Sequence, residues 1–145
     1  MCRSVKRDGI TAVLINKRRI LLLKRLNAPL MSHPGRWSFL SGGRDKGERY
    51  LQTAYREIFE ETKIPAERLT LLDGNSIIVL KDEGKGLKWP NRFFIFRVSS
   101  RAVKLNVENT DYKWVSFDQV CNNRDIDKMI YDKGKVFSRV ESHYK

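Results

Sequence analysis

GGRDKGERYLQTAYREIFEETKI, residues 42–64, is the stretch whose reading decides the fold. Leu51, Ala54, Tyr55, Ile58 and Thr62 recur at three- and four-residue spacing, which predicts a helix from about Glu48 to Lys63 with one buried face. Pro65 stops it, because the residue before a proline is pushed out of helical geometry. On a helical wheel Glu57, Glu60 and Glu61 fall within an arc of about 100° beside that apolar face. Glu57 and Glu61 are four residues apart, so their carboxylates can converge, and Arg56 stands in the same relation to Glu60. Like charges so spaced cost an exposed helix only a few tenths of a kcal/mol. A solvated acidic face is therefore one explanation, and a cation held among the glutamates is the other.

The segment ahead of the helix bears on that choice. Ser41-Gly42-Gly43 lies where a strand gives way to the helix, and glycine permits close backbone approach with carbonyls turned inward. Clustered carboxylates with carbonyl oxygens are the donors of a hard divalent cation. Mg²⁺ takes one or two of them, keeps several waters and binds phosphate oxygens as well.

Outward from this core the pattern is of strands. ITAVLIN (10–16) and ILLLKRL (20–26) read as an antiparallel pair with a short turn between them. NAPLMSHPG (27–35) reads as a loop, RWSFL (36–40) as a short strand and SGGRDKGE (41–48) as a glycine-bearing loop. Beyond the helix, SIIVL (76–80), RFFIFRV (92–98) and YKWVSF (112–117) are strand candidates, with DEGKGLKWPN (82–91) as a hairpin loop. The tail after Val120 turns helical in DIDKMIY and KVFSRVESHY, with an interruption at Gly134. Strands, helix, strands, helix implies a mixed sheet with helices packed on it.

A chain of 145 residues, 41% hydrophobic, suits one soluble domain over residues 1–145. No apolar run reaches the ~18 residues of a membrane span, and the start has no secretory-signal pattern. Cys2 and Cys121 make neither a disulfide framework nor a metal knuckle, and read as free thiols of a cytoplasmic protein. The net charge of +12 favours anionic partners such as nucleotides, phosphorylated metabolites or RNA, and a merely solubilising surface explains it equally well.

Gly42-x5-Glu48-x7-Arg56-Glu57-Ile58-x-Glu60-Glu61-x-Lys63-Ile64 resembles, at every specified position but one, the signature box of the Nudix hydrolases. The flanks are similar too: an early strand pair, GRWSFLSGG entering the box, and later ENTDYKWVSFDQV, so that the resemblance spans about residues 8 to 120. It implies an α/β (α+β) sandwich, a mixed β-sheet flanked by helices, with residues 42–64 as the catalytic loop and helix. It further implies that Glu57, Glu60 and Glu61, with the Ser41 carbonyl, hold Mg²⁺ or, in its place, Mn²⁺. Arg56 would orient the acids, and Glu48 would either pair with Arg56 or join the metal shell. One carboxylate, either of the box or from a later loop, would deprotonate the attacking water, and Glu108 in the ENTDY segment is the candidate for the later acid. Lys63 stands where the family has glycine, so the helix is expected to end differently, stopped by Pro65. Leu40-Ser41-Gly42 departs from the Pro-Gly-Gly common in the family.

The implied reaction is hydrolysis of a diphosphate linkage in a nucleoside triphosphate or in a nucleoside diphosphate joined to another group. Neither the tyrosine nor the proline that marks dinucleoside-polyphosphate and ADP-ribose enzymes is found at Ile78 to Lys81. Leu21-Leu22, Arg25 and Gly35-x3-Phe39 faintly resemble the upstream element of coenzyme A diphosphatases, which makes Arg25 and Phe39 candidates for substrate binding. Trp89, expected in a loop between basic residues and proline, is the candidate for stacking a base, and His33 for touching a phosphate. Three readings follow: a small-nucleotide pyrophosphohydrolase, an RNA 5′-end pyrophosphohydrolase, and a non-catalytic nucleotide or RNA sensor. The intact acids weigh against the last. A monomer or homodimer is expected.

Overall fold

The structure is a computed structural model that describes residues 2–28 and 33–144. At its centre is β2 (Gly9–Asn16), buried at every position. On one edge β2 pairs in parallel with β7 (Leu87–Val98). Its other edge is shared, antiparallel, between β5 (Leu40–Gly43) at its start and β3 (Arg19–Arg25) at its end. β7 continues outward to an antiparallel β6 (Leu69–Asp82), and the short parallel β1 (Arg3–Ser4) pairs with the start of β7 on the edge that β2 takes further along. β3 takes β4 (Trp37–Ser38) and β8 (Asn109–Val115) as antiparallel partners. The sheet is therefore mixed, as the order of elements implied.

Strand side chains alternate between faces, and on β2 both sets are buried, so the sheet is covered on both sides. Ile10, Ala12 and Leu14 pack with Leu21, Leu23, Phe94 and Phe96 beneath Ala54 and Ile58 of α1 (Tyr50–Thr62). Val13 and Ile15 face the opposite way, with Leu22, Phe93 and Ile95. That layer is closed by Ile126, Met129 and Ile130 in and after α3 (Arg124–Met129), and by Val136 and Val140 of α4 (Lys133–His143).

Several expected elements differ in extent. Ser41–Gly43 is strand, not loop: the segment pairs with Gly9 to Thr11, and a Cβ on Gly9 would stand 2.6 Å from the Gly42 carbonyl oxygen. Two glycines let the backbones approach this closely. The hairpin expected over residues 82–91 shrinks to a turn at Glu83–Lys85 closed by Gly86 at φ 63°, so Trp89 and Pro90 belong to β7. Pro90 falls between the β1 and β2 ladders, where its missing N–H interrupts no pairing on that edge. The strand expected to reach residue 117 ends at Val115, because the Ser116 hydroxyl accepts from the Gln119 amide and starts α2 (Phe117–Cys121). Gly134 lies inside α4 rather than interrupting the tail. Of the loop expected over residues 27–35, residues 29–32 lie outside the described residues. Among the described residues no helix is long and apolar enough to cross a membrane.

The end of α1 also differs from expectation. Lys63 adopts the left-handed conformation, φ 62° and ψ 17°, and its N–H donates to the Phe59 carbonyl at 2.9 Å. The helix thus closes in the glycine-like geometry with a lysine, at a cost of about 1–2 kcal/mol. The Lys63 ammonium lies 5.2 Å from the Phe59 ring centroid. Pro65 caps the following short turn instead of stopping α1.

Candidate active site

The glutamate helix is seated on β5 through Gly42. A Cβ there would lie 2.1 Å from Glu57 Cδ, so the Glu57 carboxylate rests directly on glycine backbone. Glu57 is 9% exposed and Glu61 only 4%, whereas Glu60 is exposed. The wheel placed three acids together, but tertiary packing separates them into a buried pair and an outward third.

Burial makes the pair electrostatically costly. Loss of solvent pushes the Glu61 carboxyl up to about 8, against the pull of an Asn109 hydrogen bond and with help from the neighbouring Glu57 charge. Burial raises Glu57 as well, opposed by Arg56. Asn109, at the start of β8, donates from Nδ2 to Glu61 Oε1 at 2.8 Å. Glu61 Oε2 is buried with no hydrogen-bond partner among the described residues.

Arg56 organises the remainder. Its Nε and Nη2 bind both oxygens of Glu48 at 2.7 and 2.9 Å, and Nη2 also donates to the Gly43 carbonyl at 2.8 Å. Nη1 reaches Glu57 Oε1 at 2.8 Å and Glu60 at 3.3 Å. One planar guanidinium thereby links the end of β5 to three glutamates, Glu48, Glu57 and Glu60. Glu48 takes two further hydrogen bonds, from the Thr53 hydroxyl and the Asp45 amide, both at 2.9 Å. Glu48 is thus paired with Arg56. Those bonds, Arg56 first, hold its carboxyl down at about 2.

Beyond β5 the sheet opens into a cavity of about 260 Å³. Arg25, Phe39, Ser41, Trp89 and Glu108 all line it, and so does His33. Phe39 is also core, 4% exposed. Trp89 is in a strand and 6% exposed, with the Arg7 guanidinium 4.2 Å from its ring centroid. His33 Nε2 hydrogen-bonds the Lys81 carbonyl at 2.7 Å, and burial lowers its pKa. Burial lowers the Arg25 pKa, against the attraction of Glu61 and Glu108. Glu108 itself is exposed.

Two features had no counterpart in the sequence reading. Asn109 lies 48 residues from Glu61, and only its position directly after Glu108 in the acidic segment hinted at it. Thr11 and Asn91, joined by a hydrogen bond at 3.0 Å, lie on neighbouring strands of the cavity floor.

A divalent cation is tested against these residues by the donors they offer. Among the described residues no three carboxylate, imidazole or thiol groups form a ready cage. Mg²⁺ does not need one, since it binds through one or two carboxylates and fills its shell with water and phosphate oxygens. The unpartnered Glu61 Oε2 beside Glu57 is such a donor pair, and the residues fit the ion.

Comparison with known proteins leads to the same place. The NUDIX domain family model matches residues 5–139. The chain is 28% identical over 130 residues to the RNA pyrophosphohydrolase of Pelagibacter ubique, covering 80% of both chains. It is 29% identical over 97 residues to the asymmetrical bis(5′-nucleosyl)-tetraphosphatase of Rattus norvegicus, covering 64% of each. In fold it resembles the Ap4A hydrolase of C. elegans, with a TM-score of 0.75 at 23% identity over 95% of this chain and 97% of that one. The chain belongs to the Nudix family. It is an enzyme of that family's kind, a hydrolase of phosphoanhydride bonds.

Proposed function

We propose that the protein is a Mg²⁺-dependent pyrophosphohydrolase that cleaves a diphosphate linkage in a nucleoside triphosphate or in a nucleoside diphosphate joined to another group. The observation that carries the reading is the buried Glu57–Glu61 pair, with Glu57 resting on the Gly42 backbone and Glu61 Oε2 unpartnered among the described residues. Glu57 and Glu61, with Glu60 and the Ser41 carbonyl, would hold the ion, and Mn²⁺ would substitute for Mg²⁺. Bound there, the cation would neutralise phosphate oxygens and lower the pKa of water.

The chain's own residues do the rest. Arg56 fixes Glu57 through a 2.8 Å bond and ties the helix to the Gly43 carbonyl, so the acids are held before substrate arrives. Arg25, which lines the cavity and is attracted by Glu61, binds a phosphate of the substrate. Glu108, exposed on the cavity rim, accepts the proton of the attacking water. The unpaired Cys2 and Cys121 accord with a cytoplasmic protein, acting as a monomer or homodimer.

A second reading keeps the chemistry and makes the substrate an RNA 5′ end. It is favoured by the 80% coverage of a relative named RNA pyrophosphohydrolase and by the +12 charge. One panel tests both: nucleoside triphosphates, nucleoside diphosphates joined to a sugar or to a second group, a dinucleoside tetraphosphate and a 5′-triphosphate RNA, with Mg²⁺, the products resolved as phosphate, pyrophosphate or monophosphate. Hydrolysis of small nucleotides with a shallow salt dependence supports the first reading. Preference for RNA with a steep salt dependence supports the second. Cleavage of none of them removes both.

A further inference from the structure

We infer that the Thr11–Asn91 pair reads the edge of a nucleobase held in the cavity beside β5. This deepens the proposed function and rests on it, because it names the part of the substrate that is joined to the phosphates.

Strand parity makes the pair conspicuous. Thr11 shares a face of β2 with Val13 and Ile15, and Asn91 shares a face of β7 with Phe93 and Ile95, all four of them core. Apolar side chains at 11 and 91 would extend that core. Instead a hydroxyl and an amide are buried there, 3% and 6% exposed. Burying them is unfavourable unless their hydrogen bonds are made.

Between themselves they make one. Asn91 Nδ2 donates to Thr11 Oγ1 at 3.0 Å, and the structure gives neither side chain another hydrogen bond among the described residues. An amide carries two donors and an acceptor, and a hydroxyl one donor. An amide N–H, the amide oxygen and the hydroxyl hydrogen therefore remain, side by side, on the cavity floor. Gly9 keeps that floor open, since a Cβ there would stand 3.3 Å from Asn91 Oδ1.

Phe39, Trp89, Ile126, Met129 and Ile130 supply apolar walls, and Ser38, His33 and Arg7 also line the space. At about 260 Å³ the space lies just below the ~300–1,000 Å³ of typical small-molecule sites. Apolar walls around a small set of donors and an acceptor suit a flat heteroaromatic ring with a hydrogen-bonding edge. The same cavity is lined by Ser41, Gly42 and Gly43, with Ser41 facing Thr11 across the β2–β5 ladder, and by Arg25 and Glu108, toward which the diphosphate would lie. Ring and phosphates thus belong to one ligand, a nucleotide entered base first. A site built to hydrogen-bond such an edge rejects rings that leave its groups unpaired.

The test compares ATP, GTP, CTP and UTP, and the corresponding 5′-triphosphate dinucleotides, for kcat/KM in the wild type and in the near-isosteric Thr11→Val and Asn91→Leu variants. Calorimetric binding of the four monophosphates is run alongside. The wild type should separate the best from the worst base by at least about tenfold. Each variant should reduce that ratio to about twofold, mainly through KM. Circular dichroism confirms folding, and either variant alone is decisive if the other does not fold. Equal treatment of all four bases by the wild type, or a ratio unchanged in a folded variant, overturns the inference while hydrolysis stands. Base-selective binding without hydrolysis of any substrate leaves the pocket standing and removes the hydrolytic reading. Absence of both binding and hydrolysis removes both.

Discussion

Asn109 Nδ2 donates to Glu61 Oε1 at 2.8 Å while the other oxygen of the same carboxylate, Oε2, is buried without a partner among the described residues. One side of Glu61 is held and the other is left for a ligand. Partners that orient a metal-binding carboxylate typically contribute 10–100-fold to metal affinity. In Asn109→Leu the Mg²⁺ concentration giving half-maximal hydrolysis should rise by about that factor. An unchanged Mg²⁺ midpoint in a folded variant would mean that Asn109 does not orient Glu61 toward a cation.

Stability should depend on pH in a direction set by Glu61. Its carboxyl moves from an ordinary 4.5 up to about 8 on folding, so between these values the folded state holds more protons than the unfolded one. Stability of the metal-free protein then falls as pH rises through this window. Melting in EDTA should give a lower Tm at pH 8 than at pH 6, and Glu61→Gln should flatten the difference. Mg²⁺ should raise Tm most at pH 8, by binding the folded state. Glu48, held down at about 2 by Arg56, acts oppositely: its contribution is present above its ordinary 4.5 and lost as pH falls toward 2.

Arg56→Lys separates geometry from charge. Lysine keeps the cation but cannot bond both Glu48 oxygens, Glu57 and the Gly43 carbonyl at once. Loss of such charge-assisted bonds costs about 1–3 kcal/mol. Urea unfolding in EDTA should show a loss in that range, and a loss below ~0.5 kcal/mol would reduce Arg56 to a solvated cation.

Lys63→Gly should stabilise the protein. Lys63 is left-handed at φ 62°, and glycine removes the Cβ cost of about 1–2 kcal/mol, less its own entropy in the unfolded chain. A net gain of about 1 kcal/mol raises Tm by roughly 2–8 °C in a domain of this size. Hydrolysis should be untouched, since the acids lie upstream. A fall in Tm would mean that the Lys63–Phe59 contact matters more than the backbone.

How much of this was legible in the sequence depends on whether the cause is local. The seating of α1 through Ala54 and Ile58 is local periodicity, and it matched the fold. The convergence of Glu57 and Glu61, and the reach of Arg56 to Glu60, followed from helical spacing alone. The burial that makes Glu61 an unusual acid did not, because it depends on β5 and on Asn109, which meet the helix only after folding. Pro90 and Gly86 suggested a loop around Trp89. A break between two strand ladders absorbs the proline instead. Thr11 and Asn91 are 80 residues apart, and nothing in either segment signals that they meet.

The central claim is that Glu57 and Glu61 together hold the divalent cation on which hydrolysis depends. Mn²⁺ binding, followed by the loss of its free-ion EPR signal, tests it most directly in the wild type, Glu57→Gln and Glu61→Gln, with hydrolysis measured on the same samples. The account predicts that each substitution weakens Mn²⁺ binding by at least about tenfold and lowers hydrolysis in step. Folded variants that bind Mn²⁺ and hydrolyse substrate as the wild type does would contradict it.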